Sequence, residues 1–316
     1  MFYQTTEAHE ALRAKIREFA ETEVKPVAFL LDQENRFPTE AVRKLGELGL
    51  MGIPYEKKYG GAELDTLSYA IAVEELARVD GGTGVILSAH TSLGTYPIYA
   101  FGTEEQKMKY LPDLCTGRKI GAFGLTEPNA GSDAGGTETT AVDMGDHWLL
   151  NGEKIFITNG GEADTYVVFA VTTPDIGTRG ISAFIVERGW EGFAFGDHYD
   201  KMGIRSSATC QLLFNNVKVP KENLLGKEGE GFKIAMSTLD GGRIGIAAQA
   251  LLSLIHILLV HIDLAHLERT AFFFGKLMQY GREHFARSAP VRIEIQQEMC
   301  IRDSPCPVRQ TPFSWR

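Results

Sequence analysis

The stretch from Ala122 to Asp133, AFGLTEPNAGSD, gathers the residue types that hold a polar, anionic ligand. An apolar, strand-like lead-in (Ala122, Phe123, Leu125) runs into Thr126-Glu127-Pro128, where the proline ends regular pairing. Gly131 lets a ligand approach the backbone, and Thr126 and Ser132 supply hydroxyls that donate or accept. Successive N–H groups in such a loop form a concavity suited to a pyrophosphate. Taken alone, the loop reads more readily as a surface β-turn.

Two further stretches weigh against the bland reading. In Lys154-Ile155-Phe156-Ile157-Thr158-Asn159-Gly160-Gly161 an aromatic and a hydroxyl stand two apart, so a strand projects Phe156 and Thr158 from one face. Such a pair covers a flat heteroaromatic ring and hydrogen-bonds its edge. In Leu239-Asp240-Gly241-Gly242-Arg243 a carboxylate and a guanidinium three apart lie side by side on a helix. By itself that is a solvated ion pair of small value.

The elements that must position these residues change character twice along the chain. Leu12, Ile16, Phe19, Val27 and Leu30 recur at helical spacing, with Thr5 and Thr6 available as caps and Pro26 as a kink. Further helical segments run from Pro38-Thr39 to Leu48, from Leu64 to Val79, and from Val85 to Tyr99. The last is apolar on nearly every side, as a buried helix beside a ligand would be. Thr103 and Gln106 read as a capping box for a helix carrying Tyr110, Leu111 and Leu114. From Lys119 the pattern becomes short β-branched and aromatic runs: Ala122–Leu125, Trp148–Leu150, Ile155–Thr158, Tyr166–Val171, Ile181–Val186 and Gln211–Phe214. Turns such as Asn151-Gly152 and Asn159-Gly160-Gly161 separate them. After Gly226 helical character returns. The expected fold is therefore multidomain α+β: an N-terminal helical domain (1–118), a middle antiparallel β-barrel or sandwich (119–225), and the start of a C-terminal helical bundle (226–276).

Composition narrows the class of function. With 44% hydrophobic and 23% charged residues and a net charge of −9, the chain reads as an ordinary globular protein without a nucleic-acid or anionic-membrane surface. The four cysteines lack metal-type spacing, which points to free thiols in a reducing, cytoplasmic setting. No secretory signal opens the sequence, and no run reaches the ~20 apolar residues of a membrane span. His256, His261 and His266 are spaced by five, so successive members point about 140° apart on a helix and form no metal site. Gly229-x-Gly231 lacks a third glycine at dinucleotide spacing, which disfavours nicotinamide.

Taken together, the three segments resemble the acyl-CoA dehydrogenase family, FAD enzymes that desaturate acyl thioesters, and within it the short-chain, butyryl-CoA type. The resemblance is dense to about Ala250. It implies Phe123, Leu125, Thr126, Gly131, Ser132, Phe156, Ile157 and Thr158 as FAD contacts, with Ser132 also near the pantetheine arm of the substrate. The position of Phe156 is commonly Trp in relatives; Phe keeps the stacking face and loses an N–H donor. Thr158 resembles the residue that hydrogen-bonds the flavin near N5, and Asp240 and Arg243 fall where relatives contact CoA. The family passes its electrons to an electron-transfer flavoprotein and commonly forms homotetramers through its C-terminal helices. An oxidase on the same scaffold, or a flavin- or acyl-CoA-binding protein without catalysis, is the alternative.

The tail departs from the family pattern. The usual Tyr-Glu-Gly-Thr context of the catalytic Glu is absent, and in branches that place the Glu before the arginine of Asp-x-x-Arg the position here is Gly242. No catalytic base is assigned; Glu283, Glu294 and Glu298 are carboxylates in the right third of the chain. Glu268-Arg269, leading to Phe274-Gly275-Lys276, is similar to the family segment whose arginine reaches the FAD of a neighbouring subunit, with two extra Phe inserted. Residues 277–316 carry Pro290, Pro305, Pro307 and Pro312 against long helices. The expectation is a truncated, frame-shifted or chimeric end, and a homo-oligomer only where the bundle is complete.

Overall fold

The Leu12, Ile16, Phe19 spacing forms helix α1 (Glu7–Phe19), which starts where the Thr6 hydroxyl accepts the His9 N–H at 3.3 Å. The structure is a computed structural model that describes residues 5–264, with side chains to 251. By its contacts the chain divides into Met1–His256 and Ile257–Arg316, and the elements that follow belong to the first unit up to His256. The kink expected at Pro26 takes the form of a π-turn (Ala20–Val24) between α1 and α2 (Lys25–Gln33). Pro26 then sits in a first helical turn, where its missing N–H costs nothing. After α3 (Thr39–Glu47) and α4 (Thr66–Ala77), Asp80 caps α5 (Gly81–Ala89) by accepting the N–H groups of Gly82 and Thr83 at 3.1 and 2.8 Å. The buried Val85–Tyr99 run is continuous through a second π-turn (His90–Thr95) into α6 (Tyr96–Phe101). The expected capping box opens α7 (Glu104–Cys115): the Gln106 N–H meets Thr103 Oγ1 at 3.2 Å, and the Thr103 N–H meets Gln106 Oε1 at 3.0 Å. Ile16, Leu45, Met51, Leu76 and Ile86 form the core of these helices.

The chain then enters β1 (Gly121–Gly124), β2 (Thr140–Asp143), β3 (His147–Thr158), β4 (Thr165–Val171), β5 (Ile181–Glu187), β6 (Phe193–His198), β7 (Thr209–Pro220) and β8 (Leu224–Leu225). They form one open sheet in the order β6-β7-β3-β2-β4-β5-β8, with β1 paired to β4. Most pairs are antiparallel, as expected, but β1–β4 and β2–β4 run parallel. Alternation of side chains encodes which face a residue takes and not the direction of its neighbour. Segments as long as the one between β1 and β4 permit a crossover as readily as a hairpin.

One expected turn is corrected. Asn151-Gly152 lies inside β3, which joins Trp148–Leu150 and Ile155–Thr158 into a single strand. Gly152 has φ +138°, and a Cβ there would stand 2.7 Å from Thr139 Oγ1; the dipeptide passes straight through opposite a bulge whose extra residue lies on β7, rather than making a reversal. The reversal occurs at Asp143–His147, where Asp143 Oδ1 accepts the Gly145 N–H at 2.8 Å. Beyond β8, the helix α8 (Gly231–Leu264) buries Ile234 and Ala235 against Phe169, Ile181 and Ile185 of the sheet.

Candidate functional site

A cavity of about 410 Å³ opens between the loop after β1, the end of β3, and the faces of α5 and α8. Its volume lies in the range of small-molecule and cofactor sites. The three segments singled out in the sequence meet here. Phe123, Leu125 and Thr126 form one wall, Phe156, Ile157 and Thr158 a second. Gly131 and Ser132 make a corner, while Phe232, Met236, Leu239 and Arg243 of α8 close another side. Asp240 pairs with Arg243 but lies outside the lining, and both side chains are mostly exposed. Arg269, Glu283, Glu294 and Glu298 fall outside the described residues.

Strand alternation would send Ile157 away from its neighbours. Yet three consecutive residues reach the cavity. Between Lys154 and Ile157, β3 shifts register against β7 by one extra residue, and Phe156 adopts φ +59°. A bulge of this kind re-aims side chains. The Phe156 ring remains 60% exposed beside Tyr199, at 5.0 Å between centroids, so the core does not claim it and it is free to cover a planar ligand.

The corner is suited to an anion. Glu127 and Ala130 exchange backbone hydrogen bonds at 3.0 and 3.1 Å, folding the loop into a tight turn. Among the described residues, the N–H groups of Gly131, Ser132 and Asp133 find no protein acceptor. Three successive donors without a protein partner are available to phosphate oxygens. A Cβ at Gly131 would meet nothing within 4 Å, so only a ligand would feel it. The chemistry of this donor set fits a dinucleotide carrying a flat ring. Asp133 is the one carboxylate of the described lining, and its Oδ1 accepts the Gly135 N–H at 3.2 Å.

A second concavity, of about 520 Å³, lies beside Asn129, Asn151 and Asn215, but Glu127, Glu138 and Glu153 line it. Their carboxylates repel phosphate, which leaves the first cavity as the site.

Behind the first cavity stand polar residues that the sequence reading did not assign. Lys154 is fully buried; its Nζ donates to Glu127 Oε1 at 2.5 Å and to the Leu125 carbonyl at 3.2 Å. Burial pulls the Lys154 ammonium down to about 8 against the upward pull of the Glu127 charge. Burial pushes Glu127 up, but Lys154 and the N–H donors outweigh it and hold the carboxyl low. The available signal was position: Lys154 occupies the inward register of β3 with Trp148 and Leu150. His90 is a second such residue. Its Nδ1 accepts the Gly121 N–H at 3.0 Å and its Nε2 donates to the Leu114 carbonyl at 3.1 Å, joining β1 to the helices. Burial pushes its imidazole down to about 4. Asn159 is a third: buried, with φ +63°, it donates to the Ile86 and Gly121 carbonyls, each at 3.3 Å, and so anchors the turn that ends β3.

Comparison with known proteins places this architecture. Residues 6–118 match the family model for the N-terminal domain of acyl-CoA dehydrogenase, and residues 122–217 match that for its middle domain. A short-chain specific acyl-CoA dehydrogenase of Clostridium acetobutylicum is 61% identical over 251 residues, covering 79% of this chain and 66% of the relative. The alignment thus spans just under two-thirds of that relative's length. Among solved structures, butyryl-CoA dehydrogenase of Megasphaera elsdenii is 44% identical, covers 95% of this chain and 76% of its own, and superposes with a TM-score of 0.79. A chain described under the electron transferring flavoprotein of Acidaminococcus fermentans is 49% identical with the same coverage and TM-score. An acyl-CoA dehydrogenase of Bacillus anthracis complexed with FAD is 37% identical, covers 82% of this chain and 44% of its own, and has a TM-score of 0.76. The chain belongs to the acyl-CoA dehydrogenase family.

Among the described residues, no group of His, Cys, Asp or Glu is arranged to hold a metal, and no helix is long and apolar enough to cross a membrane.

Proposed function

We propose that this chain binds FAD in the cavity between the 125–135 loop, β3 and α8, and with it desaturates short-chain acyl-CoA thioesters. Electrons then pass to an electron-transfer flavoprotein. The observation that carries the reading is the convergence of Thr126, Gly131, Ser132, Phe156 and Thr158, from segments distant in sequence, on one cavity. Bound FAD supplies the acceptor for the β-hydride. The chain's own groups bind and orient. The free N–H groups of Gly131–Asp133 take the pyrophosphate, the hydroxyls of Thr126 and Thr158 meet the ring edge, and Phe156 covers a ring face. Leu125 and Ile157 keep the ring pocket apolar, which excludes water and strengthens each polar contact. Arg243, turned by Asp240, is the cation assigned to the CoA portion. The resemblance further assigns Arg269 to the FAD of a neighbouring subunit, in a homo-oligomer of cytoplasmic location. Relatives of short-chain and butyryl-CoA type, and one described under an electron transferring flavoprotein, support the choices of substrate and partner.

One observation favours a second reading, a flavin- and acyl-CoA-binding protein without turnover. The described lining offers no carboxylate except Asp133, and Gly242 stands before the arginine of Asp-x-x-Arg. Anaerobic addition of butyryl-CoA to the FAD-loaded protein separates the two. Bleaching of the flavin absorbance is expected for the dehydrogenase, and a spectral shift without bleaching would establish binding alone.

A further inference from the structure

Neither Lys154 nor Glu127 lines the cavity, yet their contacts reach the Leu125 carbonyl of one wall and the backbone that follows the Gly131–Gly135 corner. Lys154 lies two residues before Phe156 on β3, and its Nζ reaches across to the Leu125 carbonyl at 3.2 Å and Glu127 Oε1 at 2.5 Å. Alongside, the Ile155 N–H donates to the Thr126 carbonyl at 2.8 Å. The two carboxylate oxygens of Glu127 accept the N–H groups of Glu138 and Thr139, at 2.6 and 3.1 Å, where the chain leaves the phosphate corner. One charge pair therefore fastens the Leu125–Thr126 wall, both ends of the 127–139 loop, and the strand that carries Phe156–Thr158.

We propose that Lys154 and Glu127 are positioning residues for the flavin: their ion pair sets the separation of the two cavity walls and the placement of the phosphate corner between them. This rests on the flavin reading above. A buried ammonium admits few alternative partners, so the pair specifies one placement of a loop whose small, polar residues specify little by themselves. Two apolar side chains would fill the same space without fixing that placement.

This difference gives the test. A buried ion pair replaced at both ends leaves no uncompensated charge, so the variant K154M/E127Q is compared with the wild-type protein by urea unfolding and by FAD titration, followed through flavin fluorescence and visible spectrum. The expected result is a urea midpoint near wild type with FAD affinity at least tenfold lower, about 1.4 kcal/mol, and a less structured flavin absorption band. Affinity within twofold of wild type, with an unchanged spectrum, would overturn the proposal by showing that the pair only stabilises the fold. Should the double variant fail to fold, K154Q/E127Q, which also leaves no uncompensated charge and keeps an acceptor for the backbone N–H groups, is held to the same two outcomes. A wild-type protein that takes up no FAD refutes the flavin reading before any variant is compared, and the proposal falls with it.

Discussion

Acid should weaken this protein earlier than its carboxylates alone would dictate, and His90 is the reason. The ring is fully buried, accepts the Gly121 N–H at Nδ1 and donates to the Leu114 carbonyl from Nε2. It is therefore neutral in the folded state. Protonating it would set Nδ1–H against the Gly121 N–H in a place water does not reach. Burial lowers its value from 6.5 to about 4. Because the folded value lies below the unfolded one, the unfolded chain binds the extra proton first. Stability from this group is fully present above pH 6.5 and is lost as pH falls through 6.5 toward 4. At 1.36 kcal/mol per pH unit the full loss is about 3 kcal/mol, roughly three-fifths of it above pH 5. Urea unfolding between pH 7.5 and pH 4.5 measures it, with His90→Gln as the comparison. The variant should be less stable at neutral pH but flatter across the window, so the two curves converge on acidification. Parallel curves would refute the reasoning, because they would mean that His90 carries its proton in both states or in neither.

Other expectations follow from particular contacts. Phe156→Ala removes the exposed ring at the cavity mouth and should weaken FAD binding about tenfold, measured by flavin fluorescence, with little change in the urea midpoint. Glu75 is fully buried and takes Arg13 at 2.8 Å and Arg17 at 2.8 and 2.9 Å. Glu75→Ala removes the carboxylate that Arg13 and Arg17 share and leaves Arg13 with Glu74 at 2.9 Å, so it should cost about 1–3 kcal/mol of unfolding free energy. Burial raises the Cys115 thiol to about 12 and the Cys210 thiol to about 11. Neither should alkylate at pH 8 in the folded protein, as peptide mapping after iodoacetamide would show, and both should react in urea.

What the sequence made legible was mostly local. The Thr103–Gln106 capping box depends on residues three apart, and both of its bonds form. The cavity was legible because each of its walls is a short motif whose residue types suit a ligand, although their meeting depends on the whole fold. The misread Asn151-Gly152 turn shows where a local rule yields. The dipeptide favours a hairpin, but pairing of β3 with β2 on one side and β7 on the other outweighs it. Strand β6, FAFGDH, escaped because its Gly, Asp and His hide the alternation that Phe193 and Phe195 carry. The Lys154–Glu127 contact joins residues 27 apart, and no periodicity links a lysine in one strand to a glutamate in a preceding loop.

The claim on which all of this rests is that the cavity between Thr126 and Thr158 holds a flavin. The direct measurement is the visible spectrum of the full-length protein after incubation with FAD and removal of unbound cofactor. One flavin per chain is expected, with the resolved absorption band of a ring held in an apolar pocket. A folded protein, verified by circular dichroism, that emerges colourless at saturating FAD would contradict it.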